Sequence, residues 1–210
     1  MPFRAGQFFN MRVPNAKPRP ERSHSVFSDP GRRGGFDLCI KLLKGGAASE
    51  MLRVASVGDP YSFRGPMGVF TMADDEQPVT MVATGTGVVP YHSMLCEYAR
   101  LFARHQATPR RYRLYFGVRD EEDLFLVAQL ASWQDELPDF AYRVCLSRPS
   151  DAWTGFRGRV TVALAADLPP ERIPTGHFYL CGNSPMIEET KSLLKARGVD
   201  HSRIHSEKYY

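Results

Sequence analysis

Nowhere in these 210 residues does an apolar run approach the roughly 20 residues that a helix needs to cross a bilayer. The opening, MPFRAGQFFNMRVP, lacks the uninterrupted apolar core of a secretory signal, so a cytoplasmic location is expected. Cysteine is sparse: Cys39, Cys96, Cys145 and Cys181 stand far apart, without the C-x₂-C or C-x₄-C spacings that ligate zinc or an iron–sulfur cluster. No metal site is therefore expected. Basic residues form no concentrated run, and a formal net charge of +4 reads as spread along the chain, which argues against a nucleic-acid partner. Internal repeats and low-complexity segments are missing too.

What is present is an ordinary globular composition, 43% apolar and 24% charged. The first third is rich in Gly, Pro and Ser, with short apolar runs at Gln7–Val13, His24–Phe27, Phe36–Leu43 and Pro60–Phe63. Short strands between turn residues predict an antiparallel β-structure such as a barrel. From residue 79 the texture changes. Strand-like runs at Thr80–Ala83, Tyr112–Phe116, Phe140–Leu146, His177–Cys181 and Ile204–Ser206 alternate with helical patterns. These patterns lie around Leu95–Phe102, at Glu121–Gln134, at Val160–Ala166 and at Met186–Ala196, the last stopped by Gly198. Such alternation predicts βαβ units and a parallel sheet. The acidic stretch Asp74–Gln77 is the natural linker, so two domains are expected, residues 1–75 and 76–210.

Between a strand and a helix lies Ala83-Thr84-Gly85-Thr86-Gly87-Val88-Val89-Pro90. Glycines at such a turn let backbone approach a pyrophosphate, whose charge the helix N-terminus favours. The pattern is Gly-x-Gly-x-x-Pro rather than the dinucleotide fingerprint, so by itself it is equally a geometric turn. Tyr179–Met186, with Cys181-Gly182 at its centre, again closes a strand and opens a helix, on the same sheet edge. Taken alone, Cys181 is a buried small hydrophobe. In the front half, Arg22-Ser23-His24-Ser25 puts a cation and hydroxyls on a short strand, with Arg22, His24, Val26 and Ser28 sharing a face by alternation. Gly45–Ser49 reads as a loop offering N–H groups and a hydroxyl to a phosphate, and Gly65–Phe70 as a tight turn.

In this order and spacing the segments resemble the ferredoxin–NADP⁺ reductase family of flavoenzymes. Ala5-Gly6-Gln7-Phe8 is similar to the family's Pro-Gly-Gln-aromatic strand, Arg22–Ser25 to its Arg-x-Tyr-Ser flavin motif, and Gly46–Ser49 to its Gly-x-x-Ser loop. Gly65–Phe70 resembles the turn that closes the flavin domain. Gly85–Pro90, Phe116–Asp120 and Cys181-Gly182 resemble the nicotinamide-domain motifs, and Glu207–Tyr210 the Glu-x-aromatic terminus. The resemblance implies an all-β flavin barrel followed by an α/β domain, with FAD and NAD(P)H as cofactors.

By that resemblance, Arg22 neutralises the FAD pyrophosphate near Gly46 and Ser49. Ser25 hydrogen-bonds the flavin, and His24 lies against its ring where relatives carry Tyr. Tyr209 covers the other ring face, and Tyr210 extends over the adenine side. Cys181 and Glu207 flank the hydride path, and with Ser25 and Tyr209 they are the implied catalytic residues. Thr84, Gly85, Thr86, Gly87, Pro90, Arg119, Gly182 and Met186 hold the nucleotide. Ser147-Arg148 resembles the pair that grips a 2′-phosphate, whereas Trp153–Gly158 looks like NADH-using reductases, so the choice of nucleotide stays open.

Relatives have several tens of residues ahead of the Gly-Gln-aromatic strand, and here only Met1–Arg4 precede it. The expectation is an N-terminally short barrel whose edge is completed by another chain or by dimerisation, or a truncated product. The implied partner is an electron carrier, a ferredoxin, a flavodoxin or an oxygenase component, and Arg32, Arg33, Lys41 and Lys44 are candidates to meet an acidic one. The alternative is a non-catalytic or partner-dependent flavin- or nucleotide-binding subunit of a larger redox complex.

Overall fold

The structure is a computed structural model and describes residues 2–14, 16–18, 20–168 and 174–209. The chain divides into two units. One comprises Met1–Met72 with Val89–Glu97, and the other Ala73–Val88 with Tyr98–Tyr210.

The first unit is built on an antiparallel sheet of order β2-β1-β3, from β1 (Phe8–Arg12), β2 (Glu21–Ser25) and β3 (Phe63–Met67). Phe8 faces Ser25, Phe9 faces His24 and Met11 faces Arg22. Phe9, wholly buried, stacks on Phe36 at 4.3 Å and meets Phe63 edge-on. Gly65 is required there, because a β-carbon on it would lie 2.6 Å from the Phe9 ring. Helix α1 (Ala47–Arg53) packs Ala47, Ala48, Met51 and Leu52 against Met11 of β1 and Val13 just beyond it. Val89–Glu97 closes the unit: Ser93 Oγ donates to the Ser28 carbonyl at 2.7 Å, and His92 stacks on Phe27 at 3.7 Å.

Four expectations shift here. Phe36–Leu43 makes a single bridge, Val26 to Leu38, instead of a strand. Phe36 is drawn into the aromatic cluster, and the Leu43 backbone bonds to Ser49 Oγ and Gly46 N–H rather than to a ladder. The loop expected at Gly45–Ser49 runs into α1. The strand expected at Pro60–Phe63 starts at Phe63 and includes the supposed turn Gly65–Met67. The strand expected at His24–Phe27 ends at Ser25, so alternation does not reach Ser28.

The second unit holds six parallel strands in the order β7-β6-β5-β4-β8-β9. They are β4 (Val79–Thr84), β5 (Tyr112–Val118), β6 (Phe140–Leu146), β7 (Phe156–Arg157), β8 (His177–Gly182) and β9 (Ile204–Lys208). Helices α2 (Val89–Ala103), α3 (Val127–Glu136), α4 (Val160–Asp167) and α5 (Ser184–Ala196) connect them. Near-continuous burial of β4, β5 and β8 is what a parallel sheet covered on both faces needs. The helix expected at Glu121–Gln134 splits into a short 3₁₀ turn, Glu121–Asp123, and α3, with Leu126 at a left-handed φ of 64° between them. Gly198, at φ 75°, ends α5 as expected.

From β4 the chain lays down β5, β6 and β7 on one side, then returns to place β8 and β9 on the other. The switch point therefore lies at the carboxyl ends of β4 and β8, the position where open parallel sheets bind ligands. Among the described residues no helix is long and apolar enough to cross a membrane. Charge is not evenly spread, as the sequence suggested. The first unit holds eleven Lys and Arg against six Asp and Glu, a net +5, while the second nets −1.

Candidate functional site

At the switch point two turns interlock. Gly85-Thr86-Gly87-Val88 forms a 3₁₀ turn that leads into α2, with Pro90, which needs no amide partner there, in the first helical turn. A β-carbon on Gly87 would lie 2.2 Å from the Cys181 carbonyl oxygen, and one on Gly182 2.1 Å from Thr84 Oγ1. Gly85 differs: at φ 54° it has nothing within 4 Å of where a β-carbon would stand. Thus Gly87 is needed for the two turns to pack, and Gly85 supplies the open backbone suited to a ligand. Thr84 Oγ1 accepts from Asn183 N–H at 3.1 Å and from its side-chain amide at 3.0 Å. Asn183 Oδ1 in turn accepts from Met186 N–H at 2.9 Å, capping α5.

The chain terminus returns to this point. Cys181 pairs with Glu207 across β8 and β9, and Tyr209 N–H donates to the Gly182 carbonyl at 2.8 Å. Burial raises the Cys181 thiol well above its ordinary value. Glu207 raises it further, while a hydrogen bond with the Tyr209 side chain works the other way. Cys181 is thus a neutral S–H at neutral pH, a lining group rather than a nucleophile. Cys181, Gly182, Glu207 and Tyr209 are brought together with Thr84–Gly87. Tyr210 lies outside the described residues.

Met186 is placed differently from the expectation. Its side chain, 5% exposed, belongs to the core with Ile187 and Leu194, so only its backbone serves the turn. Sequence reasoning missed Asn183, although Asn before Ser-Pro at a helix start is a recognisable capping signal.

At the carboxyl ends of β5 and β6 a second group assembles. Ser147 N–H donates to the Val118 carbonyl and Arg148 N–H to that of Arg119, at 3.2 and 2.7 Å, which places both arginines on adjoining turns. Both are exposed. The following loop is tied down by Glu121, which accepts from Ser150 N–H and Oγ. Arg157 donates to the carbonyls of Ser150, Asp151 and Trp153 at 2.9–3.0 Å. Sequence reasoning missed Glu121 and Arg157, since nothing local distinguishes them from solvated charges.

In the first unit β2 carries Arg22, His24 and Ser25, with Ser25 5% exposed. His24 Nε2 is buried without a hydrogen-bond partner. Burial, and then the Arg22 charge, hold the imidazole below the ordinary histidine value, so it is neutral at neutral pH. Gly46 caps α1 without a side-chain hydrogen bond, and Ser49 Oγ accepts from Leu43 N–H at 2.8 Å. Two hollows, of about 340 and 410 Å³, contain none of these residues. The donor set fits a flavin dinucleotide: an arginine and a hydroxyl on β2, an imidazole nitrogen still lacking a partner, and a helix start open to phosphate.

Comparison with known proteins agrees. Residues 1–72 match the oxidoreductase FAD-binding domain family and residues 81–192 the oxidoreductase NAD-binding domain family. Over 99% of its length the chain is 33% identical to ferredoxin–NADP reductase B of Sorangium cellulosum, covering 85% of that protein. It is 30% identical, again over 99%, to the toluate 1,2-dioxygenase electron transfer component of Pseudomonas putida, but spans only 59% of it. The crystal structure of a cytochrome P450 reductase from Amycolatopsis superposes with a TM-score of 0.85 at 28% identity, over 99% of this chain and 61% of that one.

Proposed function

The chain belongs to the ferredoxin–NADP⁺ reductase family of FAD- and NAD-binding oxidoreductases, and we propose that it moves a hydride from NAD(P)H to FAD and passes the electrons to a separate ferredoxin, flavodoxin or oxygenase component. The observation that carries this reading is the switch point, where Cys181, Glu207 and Tyr209 converge on the Gly85–Val88 turn. FAD would supply the change from two-electron to one-electron chemistry. In this reading residues 1–75 serve the flavin and residues 76–210 the nucleotide, and the reaction belongs in the cytoplasm.

The protein's own residues bind, orient and exclude water. Arg22 neutralises a pyrophosphate with help from the Gly46–Ser49 helix start. Ser25 offers a buried hydroxyl, and His24 a neutral ring, to the flavin. Thr84, Gly85, Thr86 and Gly87 seat the nucleotide pyrophosphate, with Pro90 and Gly182 fixing the turns around it. Cys181 lines the nicotinamide position with a protonated thiol, Glu207 contributes a carboxylate, and Tyr209 an aromatic face. Arg119, Ser147 and Arg148 would take the adenosine end, and two exposed guanidinium groups on adjoining turns favour a 2′-phosphate and hence NADPH.

The test is a visible spectrum of the purified chain, followed by anaerobic addition of NADH and NADPH in turn. A flavin band that bleaches, faster with NADPH, is the expected result. A protein that stays colourless with added FAD would overturn the stand-alone enzyme. One observation favours a second reading, a subunit that works only within a complex: Phe36–Leu43, strand-like in sequence, makes a single bridge. A partner chain that restores flavin binding would select it.

A further inference from the structure

On the second unit, away from every residue assigned above, Asp75, His177 and His205 form a continuous chain of hydrogen bonds. Asp75 Oδ2 lies 2.8 Å from His177 Nε2, and His177 Nδ1 lies 3.0 Å from His205 Nε2. The other Asp75 oxygen accepts from Gln77 N–H at 3.0 Å and from Arg110 at 3.1 Å. Arg110, itself 8% exposed, also donates to the carbonyls of Ala73 and Gln77. Tyr179 OH accepts from Ala73 N–H at 2.7 Å, and its ring stacks on His205 at 4.4 Å. The contacts of His177, Arg110 and Tyr179 hold the segment Ala73–Gln77, where the chain passes from its first unit into its second, and His205 backs His177 and Tyr179.

The protons can be counted. Burial opposes ionisation of Asp75, but the bonds from His177 and Gln77 and the charges of His177 and Arg110 outweigh it and keep the carboxyl below its ordinary value. An ionised carboxylate only accepts, so His177 Nε2 carries a hydrogen. The contact between the rings then needs one proton and one lone pair. Either His177 is neutral and accepts from His205, or His177 is cationic and donates to it. With a ring-centroid separation of 5.2 Å and a 3.0 Å N···N contact, the two nitrogens face each other across a gap that fits a proton. A zinc ion, which needs about 2.0 Å to each nitrogen, would not fit on that line. Two protons in the gap would set N–H against N–H and cation against cation.

We propose that Asp75, His177 and His205 form a one-proton clasp that holds Ala73–Gln77 on the second unit and releases it when acidification forces a second proton onto the histidine pair. The charged and titratable groups facing the pair are Asp75 on the segment itself, Arg110 ahead of β5, and Tyr179 on β8. None of them offers His205 a second acceptor to compensate. The clasp resists that proton: burial, and then the His177 charge, lower His205 below the ordinary histidine value, with Asp75 pulling the other way. The neutral form of His205 is therefore favoured; one added proton, on either ring, still leaves a single hydrogen in the gap, and opening follows when the pH falls far enough for both rings to be cationic.

The test uses the full chain and needs neither cofactor nor turnover. Histidine ¹⁵N spectra recorded from pH 8 downward should show His177 and His205 titrating as a coupled pair that binds one proton before the other. Amide exchange of Ala73–Gln77, corrected for intrinsic rate, should rise about tenfold as the second proton binds, the worth of one net hydrogen bond. His205→Gln keeps a donor for His177 without titrating, and should abolish that acid-dependent rise. Independent, ordinary titration of the two rings would overturn the proposal, as would an unchanged acid response in His205→Gln. Should that variant unfold, the wild-type titration alone decides.

Discussion

Thr84 and Gly182 stand so close that a β-carbon built on Gly182 would lie 2.1 Å from Thr84 Oγ1. The hydroxyl cannot retreat without giving up its two bonds from Asn183. Gly182→Ala, at φ 142°, should therefore cost about 2–3 kcal/mol and abolish tight nucleotide binding. Gly85→Ala meets no atom and should cost about 1–2 kcal/mol for its left-handed backbone alone. Urea unfolding of both variants checks the order. A Gly182→Ala variant as stable as wild type would refute the interlock.

Arg148 is the more discriminating of the two exposed arginines, because Arg148 N–H is anchored to the Arg119 carbonyl at 2.7 Å while its guanidinium has no ion pair among the described residues. Arg148→Gln should raise KM for NADPH roughly ten- to a hundredfold and leave KM for NADH nearly unchanged. Steady-state kinetics with a small-molecule acceptor measures both. Equal losses with both nucleotides would place Arg148 elsewhere in the site.

His24 buries Nε2 without a partner, a cost that a phenyl ring would not carry. Without flavin, His24→Phe should be neutral or stabilising by up to about 1 kcal/mol. With flavin, it should bind less tightly, because the imidazole nitrogen then lacks its role. Thermal melts with and without FAD separate the two effects. A destabilised apo-protein with unchanged flavin affinity would contradict this account.

Three histidines titrate below the ordinary value of 6.5: His24, His92 and His205, each through burial first. Their folded forms bind protons less readily than the unfolded chain does. The stability they contribute is present above pH 6.5 and is lost as the pH falls through their depressed values. Denaturant midpoints should therefore fall as the pH is taken from neutrality down below 6.5. Asp75 and Asp139, held below 3.8, add their own loss at lower pH still. A flat profile over that range would mean that the three rings are solvated.

Burial pushes Cys96 to about 11 and Cys145 to about 12, and raises Cys181 well above its ordinary value. All three should resist a thiol reagent at about pH 8 until the protein unfolds, leaving the half-buried Cys39 to react first. Cys181→Ser should slow reduction of the flavin without changing which nucleotide is preferred.

The α/β half was legible because each level of its sequence agrees with the next: apolar runs, glycine stops and a Gly-Thr-Gly turn all mark the same strand ends. The β half was less so. Phe36–Leu43 alternates like a strand, yet Phe36 is claimed by Phe9 and Phe63, and Ser49 takes the Leu43 amide. Ladder pairing depends on partners distant in sequence, and alternation does not reveal who they are. In the site, glycine spacing located the turns but not their division of labour, in which Gly87 answers to Cys181 and Gly85 to open space. Arg157, which holds three carbonyls, looks in sequence like any surface arginine.

Helix α2 begins in one unit and ends in the other, since Val89–Glu97 groups with Met1–Met72. The first unit is therefore discontinuous in the gene. A fragment stopped at Met72 would forfeit Ser93 and His92, and with them the covers over Ser28 and Phe27. Anyone recombining these reductases by swapping halves should expect soluble chimeras only when residues 89–97 travel with the flavin side, which makes the seam between parents three cuts and not one.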